Sequence, residues 1–292
     1  MVLLGLLIGE PGSASPAEVA VIEVPFSTRV GDGASGLKRI FRNGCYQVVS
    51  EGGSGAGAGS SRNSQVGCHL AGEVSAAFER LDLLASASGS GVVKEGRVSP
   101  SGGRRDESGV RAQAGVVLVR GDGSRWVAAN DEVAGEFLSA INAMPSENQW
   151  HAKPPARPVG KGPQFVAVSV ATTRGAGPRK LQGSLSVDGR WWCHGTGVAG
   201  VGHTATSRPL KLAPVNPRDA SGRLGRILKG ARAKSAIEDD DVPPDASGIE
   251  TSVELVFAGR SRSGLFPKRL AKPVAQRFAV EMSRHSPLCA WP

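Results

Sequence analysis

The chain has 292 residues, of which 40% are apolar and 21% charged. That balance excludes a disordered or fibrous class and leaves enough chain for two globular domains. The net charge of +9 is uneven: residues 1–152 carry 13 basic and 16 acidic side chains, and residues 153–292 carry 22 and 10, so an anionic partner is expected at the second half.

In chain order, Val2 to Ile8 form a short apolar run, and small residues from Gly12 to Ala17 follow. Together they read as a truncated secretory signal over residues 1–17, with its basic start missing. The mature chain is expected to be secreted or periplasmic, from about Ser15 or Glu18 onward. No segment is long and apolar enough to span a bilayer. Val21 to Thr28 is a β-rich run, and Leu37 to Ser50 is a second one that contains the hairpin signal Asn43-Gly44. Gly52 to Ser64 reads as a Gly/Ser loop. Val74, Ala77, Phe78, Leu81 and Leu84 recur at helical spacing. Gly89 to Asp106 is a second loop, and Val116 to Val127 a hairpin. Val133, Phe137 and Ile141 lie on one face of a helix that Asn130 or Asp131 can cap. Trp150 to Pro158 leads into a Pro-rich linker over 151–162.

The second half repeats the order. Phe165 to Thr173 is a strand, and Leu181 to Cys193 is a second run with Asp188-Gly189. Leu224, Ile227, Leu228 and Ala231 share a helix face. Glu238 to Gly248 is an acidic, Pro-containing loop, and Val253 to Phe266 a hairpin. Pro273 suits the first turn of a last helix. Val133, Phe137, Ile141 and Trp150 recur 141 residues later as Val274, Phe278, Met282 and Trp291. The expected fold is α+β: two tandem strand-strand-helix-strand-strand-helix repeats, 18–150 and 163–292, each with its own core.

Four cysteines, Cys45, Cys68, Cys193 and Cys289, are an even set without Cys-x-x-Cys. In an exported chain they predict two disulfides, with three connectivities open. Separate halves would pair Cys45 with Cys68 and Cys193 with Cys289.

The sharpest motif is His194-Gly-Thr-Gly-Val-Ala-Gly200. It resembles the histidine box of subtilisin-like serine proteases, which implies a general base at His194. The companions of that family are missing. No Gly-Thr-Ser nucleophile stretch follows, Thr251-Ser252 stands after Glu250, and Asp188 lies only six residues before the histidine. The reading favoured here is a Gly-rich loop after a strand. Arg120-Gly121-Asp122 matches an integrin-recognition tripeptide but fits turn chemistry. Cys68-His69, Cys193-His194 and His203 match no zinc spacing. Arg223 to Lys234 is a basic amphipathic stretch, with Glu238 to Asp241 as its expected counter-charge. No phosphate loop and no nucleic-acid motif occurs. No catalytic, cofactor or metal residue is assigned.

Thr173-Arg-Gly-Ala-Gly-Pro-Arg-Lys-Leu181 and the stretch Thr28 to Leu37 are similar to the opening of emfourin-like inhibitors of thermolysin-type metalloproteases. That family begins with a strand, a Ser-Gly-Gly-like turn and a second strand, and the later hairpin plus helix is similar too. The resemblance implies protease inhibition without assigning an inhibitory residue. The expected function is a non-enzymatic, exported protein-binding protein. Two other classes compete: a degenerate subtilisin-like hydrolase, and an envelope protein that binds anionic polymer through residues 163–292.

Overall fold

Strong turn signals set the first local structure. A computed structural model describes residues 15, 17–27, 35–52, 61–87, 92–94, 115–128, 130–144, 153–172, 179–196, 211–229, 249–257, 260–262 and 268–289. Gly44 and Gly189 have φ of +83° and +92°. Side chains with a Cβ rarely adopt that region, so Asn43-Gly44 and Asp188-Gly189 close tight turns. Each expected second run therefore folds into two antiparallel strands rather than one. The first half opens with β1 (Val19–Ser27), β2 (Ser35–Phe41) and β3 (Cys45–Gly52). The strand β4 (Ser61–Cys68) follows them. The second half opens with β8 (Pro163–Thr172), β9 (Arg179–Ser186) and β10 (Trp191–Thr196).

Helices follow in both halves. The first half has α1 (Ser75–Ser86), β5 (Val92–Lys94), the hairpin β6 (Val117–Arg120) and β7 (Arg125–Ala128), and α2 (Asp131–Asn142). The second has α3 (Pro217–Ile227), β11 (Ile249–Phe257), β12 (Arg260–Arg262) and α4 (Lys268–Met282). Asn130 caps α2 as expected: its side chain accepts from the Val133 N–H at 2.9 Å. Asn216 caps α3 in the same way through Arg218 N–H at 3.0 Å.

The twelve strands among the described residues join one sheet, in the order β12-β11-β8-β9-β10-β4-β3-β2-β1-β6-β7-β5. The fold is α+β and the sheet dominates it. The order β12-β11-β8-β9-β10 on one side of β4 matches β7-β6-β1-β2-β3 on the other. The strand β4 pairs antiparallel with both β3 and β10, so β3 and β10 point the same way. A half-turn about the line of β4 carries one strand order onto the other and exchanges the two sheet faces.

The helices obey that exchange. Alternate strand residues point to opposite faces. Ile22, Ile40, Tyr46 and Leu118 pack under α1 and α2 with Phe78, Leu81, Val133 and Phe137. Val166, Val168, Leu185 and Trp191 pack under α3 and α4 with Leu224, Ile227, Val274 and Phe278 on the other face. Neither core closes within its own half. Cys45, Val66 and Cys68 belong to the α3–α4 core, and Phe165 and Trp192 belong to the α1–α2 core. The expected helix faces are otherwise buried as read: Val133, Phe137, Val274, Phe278 and Met282, with Ile141 partly so.

Several expectations need correction. Ser61 to Ser64, read as loop, begin β4, because pairing with β3 and β10 satisfies their backbone groups. Val92 to Lys94, also read as loop, pair with β7. Helix α4 starts at Lys268, so Pro273 lies inside it rather than in its first turn. A proline there removes one backbone donor, and the buried face of Ala271, Val274, Ala275 and Phe278 holds the helix regardless. Helix α3 starts at Pro217 and ends at Ile227 instead of continuing to Lys234. The segments 1–14, 145–152, 197–210 and 230–248, with Trp150, Ala231, His203, Glu238 to Asp241 and Trp291, lie outside the described residues.

Glycine 183 shows how closely α4 approaches the sheet. A Cβ built there would lie 2.6 Å from Phe278 Cε1, so the ring occupies the space a side chain would take. Phe278→Ala should lower stability by about 3–5 kcal/mol. Gly183→Val should also destabilise, because the ring cannot retreat from a packed core. Chemical denaturation of each variant checks both. An unchanged midpoint for Gly183→Val would show that α4 does not rest on β9.

Candidate functional site

The chemistry-bearing residues converge on the seam β3-β4-β10. Cys45 faces Cys68 directly in the β3–β4 register, and the pair forms a disulfide. Cys193 on β10 is bonded to Cys289 in the turn after α4. This is the pairing expected from closure within each half. Both bridges open onto the α3–α4 core, and Trp191 lies beside them, opposite Cys68 in the β4–β10 register. The Trp191 indole N–H donates to the Ala213 carbonyl at 3.1 Å and fixes the chain ahead of α3.

Residue His194 sits on a strand, with its backbone between Gln65 of β4 and Gln182 of β9. Its ring lies 6.1 Å from that of Trp192. Asp188, the nearest upstream acid, is held by Arg190 through contacts of 2.9 and 2.7 Å. Thr251 and Ser252 lie on β11, two strands beyond β9. The structure therefore brings none of these three onto a strand next to His194. Its partner in the other motif, His69, is buried, and its Nδ1 meets Glu73 Oε2 at 2.8 Å.

Arg120-Gly-Asp122 forms the β6–β7 turn. Asp122 accepts from the Ser124 N–H at 2.8 Å, and Ser124 bonding holds its carboxyl below the usual range. Arg120 turns inward, donating to the Ala85 carbonyl at 2.7 Å and stacking 4.2 Å from the Trp126 ring. The tripeptide is thus spent on the turn and the α1 terminus.

Two charged clusters escaped the sequence reading. Glu23 on β1 is buried opposite Arg39 on β2 and binds it at 2.8 Å. Arg125 reaches the other carboxylate oxygen at 2.8 Å. Burial alone would raise the Glu23 pKa; the two guanidinium groups outweigh it and hold the carboxyl below its ordinary value. The only signal in the sequence is a glutamate in an apolar strand run, since its partners are 16 and 102 residues away. In the other half, Glu281 of α4 takes Arg226 of α3 through both carboxylate oxygens at 2.8 and 3.0 Å. Arg223 donates to the Glu281 carbonyl at 2.7 Å. Hydrogen bonding to Arg226 chiefly lowers the Glu281 pKa, against the upward push of burial. Glu281 supplies counter-charge to the basic helix, and the expected counter-charge of Glu238 to Asp241 lies outside the described residues.

Half-buried His285 follows α4 beside Trp191, their rings 6.0 Å apart. Its Nε2 is buried without a hydrogen-bond partner among the described residues. Burial, and then the Arg223 charge, lower its pKa. No cluster of three or more metal-ligating side chains occurs among the described residues. No helix among them is long and apolar enough to cross a membrane. No protein-family model, curated protein or solved structure matches the chain.

The bridge to Cys289 and the neutral His285 both fix the end of α4. Cys193→Ala with Cys289→Ala should cost about 2–4 kcal/mol and speed hydrogen exchange at 283–289 before the sheet opens. Equal exchange in both proteins would reject a tethering role. The His285 stabilisation is complete above its ordinary pKa of about 6.5 and is lost as pH falls through the lower folded value. Thermal midpoints should therefore drop from pH 7 toward pH 5 more steeply in the native chain than in His285→Asn. Parallel pH profiles would rule out this linkage.

Proposed function

We propose that this chain is a non-enzymatic protein-binding protein of an oxidising, extracytoplasmic compartment, acting as an inhibitor of a thermolysin-type metalloprotease. In this reading it consists of two copies of one β-β-β-α-β-β-α unit, placed either side of β4. The likeness of Thr28 to Leu37 and Thr173 to Leu181 to emfourin-like openings supports the inhibitory role. The matching strand orders flanking β4 support the duplication.

The observation that carries the non-enzymatic part is how the reactive side chains are used. All four cysteines are in disulfides. His69 is buried with its Nδ1 on Glu73, and Asp188 is held by Arg190. A general base needs a nucleophile within hydrogen-bond reach and a group that orients it. The register partners of His194 in both adjoining strands are glutamines. The two disulfides support an oxidising location, because such bonds persist outside the reducing cytosol.

The test is residual activity of a thermolysin-type metalloprotease titrated with the intact, oxidised chain. Proteolysis should fall in proportion to added chain and stop near equimolar amounts. Full activity in molar excess of chain would reject inhibition. A fluorophosphonate reagent should leave every serine unlabelled in the same preparation. Stoichiometric labelling of one serine, lost in His194→Ala, would establish the hydrolase class instead.

A further inference from the structure

The two helical layers carry opposite charge. Residues 69–87 and 130–144, which include α1 and α2, contain six acids and one basic residue, Arg80. Residues 211–229 and 271–289, which include α3 and most of α4, contain eight Lys or Arg and two acids, Asp219 and Glu281. The sheet separates the layers, so among the described residues one helical layer is acidic and the layer on the other side is basic. One acid of the basic layer, Glu281, is already engaged by Arg226.

Apolar side chains stand within both charged faces. Leu83 of α1 is 74% exposed and Leu138 of α2 is 47% exposed, while Val280 of α4 is 61% exposed. The outward positions Lys272, Gln276, Val280 and Arg284 are spaced by four along α4 and the turn after it, and all are exposed. On α1 the exposed Glu79 stands four residues before Leu83. Each face is therefore an apolar contact rimmed by charge, and the rims are opposite in sign.

We propose that the basic α3–α4 face of one copy of this chain docks on the acidic α1–α2 face of a second copy. Charge sets the geometry. A symmetric dimer through either face would oppose like charges, which costs binding energy. The head-to-tail contact opposes unlike charges and lets Val280 meet Leu83 and Leu138. Such a contact is heterologous, so each added copy leaves one acidic and one basic face open, and the assembly grows as a chain or closes as a ring. The exposed apolar side chains gain a reason to face solvent in the single copy. This inference is independent of the inhibitory role and adds a surface to it.

Sedimentation of the intact, oxidised chain tests the proposal. Association should appear at about 0.01 M salt and weaken by at least about tenfold toward 1 M, where screening shortens the reach of charge. Glu79→Lys with Glu132→Lys spoils only the acidic face. Arg218→Glu with Arg284→Glu spoils only the basic face. Each double variant alone should sediment as a monomer. Mixed together they should form at least a dimer, because one intact acidic face meets one intact basic face. That dimer also shows that both variants fold. A wild-type chain that stays monomeric at low salt overturns the proposal, and so does a dimer that survives both sets of reversals. Monomers retained on an acidic polysaccharide matrix would overturn it too, and would assign the basic face to an anionic polymer.

Discussion

The antiparallel pairing of β4 with β10 is the contact on which the rest of the architecture depends. Among the described strands it is the one place where a strand of the first half bonds to a strand of the second. Because β4 is antiparallel to both its neighbours, β3 and β10 run parallel, and the flanking strands follow in mirrored order. A right-handed, alternating sheet then has no freedom over its faces: what points up in one half points down in the other. The helices of the two halves must cover opposite faces. The adjacent residues Trp191 and Trp192 record this, one in each core.

The same pairing explains why polar groups are buried on strands that otherwise alternate apolar and polar. Glu23, Arg39 and Gln47 occupy matching positions across β1, β2 and β3. Continued through β4 and β10, that row becomes Val66 and Cys193. It is polar where the half's own helices lie on the other face, and apolar where α3 and α4 cover it. A buried carboxylate is tolerable only with partners, and Glu23 has two guanidinium groups. The ion pair fixes the β1–β2 register as well, since a slip of one residue would turn one of the two charges to the opposite face and separate the pair.

Charge separation between the two helical layers follows from the same exchange of faces. A sequence read along its length shows an acidic first half and a basic second half. Folding into one sheet converts that difference along the chain into a difference between the two sides of the molecule. Both disulfides lie near the seam that makes this possible. One staples β3 to β4, and the other ties β10 to the end of α4.

The sequence by itself determined whatever depends on near neighbours. Asn43-Gly44 and Asp188-Gly189 specified their turns because only glycine takes positive φ cheaply. The four-residue spacing of Val133 and Phe137, and of Val274, Phe278 and Met282, specified buried helix faces, and Asn130 specified a cap. The cysteine pairing was legible once each half was taken as a unit. Local pattern failed where a competing long-range contact won. Pro273 read as a helix start, yet tertiary burial carried α4 through it. Ser61 to Ser64 read as loop, yet two flanking strands recruited them. The site residues show the limit most clearly. His194 has the neighbours of a catalytic box in sequence and glutamines in register, because adjoining strands come from residues up to 129 positions away. Glu23 could not be seen to need Arg125, nor Glu281 to engage Arg226. Only the tertiary structure decided that the halves share one sheet and that their helices lie on opposite faces, because strand pairing between distant segments is set by global packing and leaves no periodic mark in the chain.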